Sequence, residues 1–295
     1  MDPFHERLAR VALERIGQFG FALAGGHAVQ AHGMVERPSE DVDLFTTAIS
    51  EEQFATASAA AIDGFQADGL EVDVVVDAPS FSRLLISDAL TKRSAQVELG
   101  MDWRAHPPTI LSIGPVLHPD DAVANKVTAL FSRAQARDYI DVNGALSSGR
   151  YSQDDLVRLA EEHDPGFDRL MFAQALTAIR RLPDSEFTVY GLDIDAVSAS
   201  EFGSRAGRTN YEADAHGVGS DEIVIGAPTA SSRLTGGVSA ASINYMHTLL
   251  IQVCNARVVE SPLGHDGKPY RPGLLRQNLN DVGFFLVRQL QPRCR

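Results

Sequence analysis

The stretch FALAGGHAVQAHGMVERPSEDVDLF, residues 21–45, constrains the fold more tightly than any other part of the chain. An apolar run, FALAG, enters the glycine pair Gly25-Gly26, and a short helix-like patch, HAVQAHG, precedes the strand-like run DVDLF. Side chains of a strand alternate between faces, so Asp41 and Asp43 point the same way while Val42 points into the core. Two carboxylates about 7 Å apart on one face repel each other unless a cation lies between them, and Mg²⁺ prefers oxygen ligands of this kind. Glycines at a strand-to-helix turn let the backbone approach a phosphate. Together the spacing predicts metal ions held against a nucleotide.

A third carboxylate is wanted from a neighbouring strand. The run AQVELGMDWR offers Glu98, which alternates with Val97 and Leu99 and so leaves the core on the opposite face; it is the better candidate than Asp102. A second cluster, residues 120–146, reads as helix after Pro119, with an apolar face of Ala122, Val123, Val127, Leu130 and Phe131. Lys126, Arg133 and Arg137 fall within about 20° of one stripe if that helix is continuous. Such a stripe suits a triphosphate, or it is a solvated face paired with its own acids. Asp138 and Asp141 share a face and either order the arginines or close the site. Arg37, four residues before Asp41, pairs with it, touches a phosphate, or is a solvated arginine before Pro38. His27, His32 and His118 show no metal-ligand spacing and read as surface or cap residues, and Trp103 reads as a packing residue.

Helical periodicity is expected over 4–17, 51–61, 120–131, 138–146, 153–161 and 167–181, and strands over 20–24, 41–45, 70–76, 95–99 and 110–113. Interleaved strands followed by helices indicate an α/β or α+β core. Up to residue 198 the chain holds 16 Lys+Arg against 31 Asp+Glu, and beyond it the balance is slightly basic. The segment after about residue 200 is rich in Gly, Ser, Ala and Thr without a sustained period, and Glu201-Phe202-Gly203-Ser204 looks like a translated cloning junction. Residues 199–295 are therefore expected to be a tail, disordered, fused or read-through, with a small accessory domain as the other reading. No apolar run nears the ~20 residues that cross a bilayer, and the acidic, amphipathic N-terminus is unlike a signal peptide, so a cytoplasmic protein without a membrane partner is expected. Two cysteines, Cys254 and Cys294, make neither a disulfide framework nor a zinc site. The net charge of −13 disfavours a broad nucleic-acid-coating surface but leaves room for a local basic patch.

The ordered set of Gly25-Gly26, Arg37 through Asp41-Val42-Asp43-Leu44-Phe45, Val97-Glu98-Leu99, Asp102-Trp103-Arg104, Lys126 through Arg133, and Arg137-Asp138 through Asp141 resembles the AbiEii-type nucleotidyltransferase toxins, over about residues 5–198. That family includes mycobacterial toxins that modify transfer RNA. The resemblance implies a polymerase-β-like nucleotidyltransferase core (1–115), a helical C-terminal domain (116–198) and the tail. It implies Asp41 and Asp43 as catalytic metal ligands with Glu98 beside them, where an aspartate is the expected residue. Gly25 and Gly26 would shape the nucleotide turn, Lys126 would contact the triphosphate, and Asp138 would be the catalytically important acid of the later motif. Arg37, Arg133 and Arg137 complete the nucleotide-binding set. Mg²⁺ (two ions, or Mn²⁺) and an NTP substrate are implied, as are a tRNA acceptor end and a cognate antitoxin. Transfer to a small molecule or protein, or a nucleotide-binding partner protein without turnover, are the other readings.

Overall fold

The computed structural model describes residues 1–191. Pro3–Ile16 forms α1, started by Asp2, whose carboxylate accepts from the backbone N–H of Phe4 at 2.8 Å, with Pro3 at the first helical position where its missing N–H is harmless. Leu8, Ala12 and Ile16, four apart, are fully buried and form its core-facing stripe. The chain then alternates: β1 (Ala22–Leu23), α2 (Gly25–Ala31), β2 (Asp41–Thr46), α3 (Glu51–Ala67), β3 (Glu71–Ala78), β4 (Phe81–Asp88), β5 (Arg93–Met101), β6 (Thr109–Leu111) and β7 (Gly114–Val116). Five helices follow, α4 (Pro119–Arg133), α5 (Ala136–Ser147), α6 (Gln153–His163), α7 (Arg169–Thr177) and α8 (Ser185–Thr188). The reading of residues 199–295 as a tail lies outside the described residues.

One mixed sheet runs in the order β3-β4-β5-β2-β1-β7-β6. Its centre is the parallel pair β2/β5, in which Asp43 stands opposite Glu98, flanked by Val42 opposite Val97 and Leu44 opposite Leu99. The four apolar residues are fully buried and the two acids are not, so the alternation along each strand separates a core face from a polar face. On this sheet α1 packs over β1, β2 and β5 and against α3, while α4 packs on α2, α5, α6 and α7. No helix among the described residues is long and apolar enough to cross a membrane.

Most of the expected elements stand, with adjustments: the strand expected at 20–24 keeps only Ala22–Leu23, and α8 had no counterpart. The 51–61 helix runs on to Ala67, and its capping box of Ser50 and Gln53 marks its start. The strand expected at 110–113 is a hairpin of β6 and β7, so the division expected after residue 115 falls inside β7, which pairs with β1. The 167–181 helix ends at Thr177 and continues as one 3-10 turn. Strand β4 had no counterpart among the expected elements. It lies between β3 and β5, with Leu84 and Ile86 fully buried.

Candidate active site

The glycine turn is shaped by what it touches. Gly25 has φ +58°, and a Cβ there would overlap the Asp43 carboxylate, whose Cγ would be 2.7 Å away. A Cβ on Gly26 would stand 2.6 Å from Ser39 Oγ and 3.0 Å from an Arg37 guanidinium nitrogen. The turn is pinned to β2 by the Ala24 N–H donating to the Asp43 carbonyl at 2.8 Å. Only glycine lets backbone come this close to the acids of β2.

Asp41, Asp43 and Glu98 line one cavity of about 280 Å³, together with Gly25, Gly26, Arg37, Lys126, Arg133 and Arg137. Asp102, Asn125, Thr128, Ser39 and Arg83 also reach its wall. Burial, and then the charge of Asp43, pushes the Asp41 carboxyl above its ordinary value. Burial raises Asp43 as well, against the pull of Lys126 and the arginines. Glu98 is pushed up to about 7 by burial and by Asp43, although it accepts from Arg83 Nε at 2.9 Å and from Gln96 Nε2 at 3.0 Å. Burial is the largest cause of the shift for all three acids, and the charge of Asp43 adds to it at Asp41 and Glu98. All their donor atoms are hard oxygens, the set that fits Mg²⁺ or Mn²⁺.

The cations opposite are organised by two buried acids. Asp141, fully buried on α5, accepts from Arg37 Nε at 2.6 Å and from a terminal Arg37 nitrogen at 2.7 Å, and lies 3.0 Å from Lys126 Nζ. Burial alone would raise the Asp141 carboxyl, but Lys126 and Arg37 together hold it below the usual range. Arg37 thus pairs with Asp141 and not with Asp41, and it is buried, not solvated; its guanidinium also lies over the Tyr190 ring, 5.4 Å from the centroid. Asp138 is not on the cavity wall. It is fully buried and accepts from Arg133 Nε and a terminal Arg133 nitrogen at 3.0 and 2.9 Å, and from the Gln135 N–H. Its link to the cavity runs through Arg133.

The single helical stripe expected for Lys126, Arg133 and Arg137 does not exist, because α4 stops at Arg133. Ala134 takes the left-handed conformation, φ 51°, and α5 restarts with a capping box of Gln135 and Asp138. All three cations still face the cavity, from two helices. His27 is buried, not a surface residue: it lies 3.1 Å from His5 and 2.7 Å from Gln30 Oε1, and burial lowers its pKa to about 4, while His32, also buried, is the C-cap of α2. His118 does cap a helix, α4. Trp103 is half exposed, its edge against His163. Arg83 was missed; it stands opposite Glu98 on β4, whose run Leu84-Leu85-Ile86 hides the alternation of its faces.

The profile of the family described as nucleotidyl transferase AbiEii toxin, type IV toxin–antitoxin system, matches residues 12–214. The chain belongs to this AbiEii family. As an AbiEii protein it is a nucleotidyltransferase of toxin–antitoxin systems, and the mixed α/β architecture described above is the one expected from the resemblance. Among solved structures, JHP933 from Helicobacter pylori is similar at 15% identity, covering 87% of this AbiEii chain and 94% of its own, with a TM-score of 0.42. MenT4, a nucleotidyltransferase toxin from Mycobacterium tuberculosis H37Rv, is similar at 18% identity over 60% of this chain and 65% of its own, also with a TM-score of 0.42. No curated protein matches the chain significantly.

Proposed function

We propose that this nucleotidyltransferase transfers a nucleoside monophosphate from an NTP to the 3′ end of a tRNA, as the toxin of a pair whose cognate antitoxin restrains it. The observation that carries the reading is the opposition, across one cavity, of three carboxylates on β2 and β5 to Lys126, Arg133 and Arg137 on α4 and α5. Asp41, Asp43 and Glu98 would hold Mg²⁺, or Mn²⁺, which when bound supplies charge neutralisation and lowers the pKa of the attacking hydroxyl. Gly25 and Gly26 admit the triphosphate close to the acids, and Lys126 with the arginines takes up the charge of its oxygens. The acceptor hydroxyl would give its proton to a carboxylate of the Asp41, Asp43 and Glu98 set as it attacks the α-phosphate, and pyrophosphate leaves toward the cations. Asp141 and Asp138 act as positioning residues that aim Lys126, Arg37 and Arg133.

The test is incubation of the full chain with total RNA, Mg²⁺ and each labelled triphosphate in turn, with sequencing of labelled 3′ ends. Labelled tRNA ends that disappear with Asp41→Ala and with Lys126→Ala support the assignment; labelling retained in both variants overturns it. The charge of −13 favours a second reading, nucleotidyl transfer to a small molecule or a protein. Steep loss of turnover with added salt marks an RNA acceptor, and salt-insensitive turnover marks the other class.

A further inference from the structure

Outside the active-site cavity, the segment between β5 and β6 meets the first turn of α4 at a cluster of two imidazoles and a carboxylate. One ligand atom from each of His106, His118 and Asp120 lies within 4.8 Å of the others. We propose that these three residues bind a divalent transition metal of the zinc class, distinct in chemistry and place from the ions of the carboxylate site. Imidazole nitrogens suit Zn²⁺, Co²⁺, Ni²⁺ and Cu²⁺ and are poor ligands for Mg²⁺, so this site and the oxygen-only cavity select different ions.

The surroundings are built as a metal site needs. Asp121, almost fully buried, accepts from the Ala105 N–H at 2.7 Å and the His106 N–H at 3.0 Å, which fixes the loop that carries His106 over the helix end. Tyr151 donates its hydroxyl to Asp120 Oδ1 at 2.7 Å, leaving Oδ2 turned toward His118, 3.8 Å from its Nδ1. His118 Nδ1 accepts from the Asp120 N–H at 3.2 Å, so its one lone pair caps α4, and a metal bound at this atom would take the place of that bond. His106 Nδ1 is buried without a hydrogen bond, 3.4 Å from Asp121 Oδ2. Second partners of this kind, a carboxylate behind one ligand and a hydroxyl behind another, orient metal ligands and raise their basicity. The positive end of α4 alone would repel a cation, and the two acids of its first turn, Asp120 and Asp121, offset it.

The rings now stack, with centroids 4.3 Å apart and planes 26° from parallel. Bonds of about 2.0–2.2 Å require the ligand atoms to close by roughly an ångström. The three side chains are each about a third or more exposed, so closing on an ion costs the His118 cap on α4 and not core packing. Three protein ligands leave one position of a four-coordinate ion for water. A bound ion would clasp the 102–108 segment, which follows the cavity residue Asp102, to the helix that carries Lys126 two turns on. This site is independent of the acceptor assigned above.

The experiment is titration of the metal-free full chain with Co²⁺ in excess Mg²⁺, following the visible absorption of imidazole-bound Co²⁺, with a thermal melt in Zn²⁺ alongside. One Co²⁺ per chain is expected, with a rise in melting temperature on adding Zn²⁺. His106→Ala, and His118→Asn, which keeps a helix-capping acceptor, should each weaken binding by more than about tenfold, and Tyr151→Phe by about tenfold. The Asp41→Asn/Asp43→Asn variant should bind Co²⁺ as the wild type does. A wild type without the absorption, wild-type affinity in both histidine variants, or binding lost only in the aspartate variant each overturns the proposal.

Discussion

Replacing Asp43 with asparagine should stabilise the metal-free protein while abolishing its activity. Asp43 stands opposite Glu98 on the neighbouring strand and shares a face with Asp41. Carboxylates about 5 Å apart, as on adjacent strands, repel by about 3 kcal/mol at an effective dielectric near 20. The rise of Glu98 from 4.5 to about 7 corresponds to about 3 kcal/mol in total, with burial its largest cause and Asp43 second. The Coulomb figure is therefore an upper bound, and about 1–2 kcal/mol is the expected gain, or roughly 2–8 °C in melting temperature. The sign depends on pH. Carboxyls raised in the folded state leave stability intact below their unfolded values and remove it as pH climbs through the folded ones, for Glu98 between about 4.5 and 7. The gain in Asp43→Asn should thus be present at pH 8 in EDTA and shrink by pH 5, where Glu98 is protonated in the wild type. Added Mg²⁺ should stabilise the wild type and leave the variant unmoved. Scanning fluorimetry at the two pH values, with EDTA or Mg²⁺, decides the matter. An equal gain at both pH values, or a lower melting temperature at pH 8 in EDTA, refutes the reasoning.

Asp141→Asn should act in the opposite direction, because it strands the buried Arg37 and Lys126 without their counter-ion; a loss of about 3–5 kcal/mol in urea denaturation is expected. Gly25→Ala combines a strained backbone with overlap on Asp43, so turnover should drop by about 10²-fold through displacement of the acids, read in single-turnover assays on protein checked for folding by circular dichroism.

Much of this was legible in the chain because it depends on local alternation. The period of two in DVDLF and QVELG placed Asp41, Asp43 and Glu98 on the polar face of β2 and β5, and capping residues such as Ser50 and Ser152 sit where the helices start. What stayed hidden depended on long-range partners or on single backbone angles. Strand β4 carries Ser82, Arg83 and Ser87 among its apolar residues, and its identity is fixed by pairing on both sides. The end of α4 at Ala134 has no glycine to announce it, since an alanine takes the left-handed turn. The Arg37–Asp141 pair spans 104 residues of sequence, and no spacing rule reaches that far. His106 and His118 lie twelve apart, across a hairpin that brings their rings together.

The corner at Ala134 and the buried Asp141 behind it have a consequence for how the molecule can be switched off. The three acids come from the sheet, while Lys126, Arg133 and Arg137 come from two helices that break at Ala134. Asp141 is the rivet between them, gripping an arginine from before β2 and a lysine from α4. Anything that parted those helices from the sheet would separate the cations from the acids without covering a reacting atom.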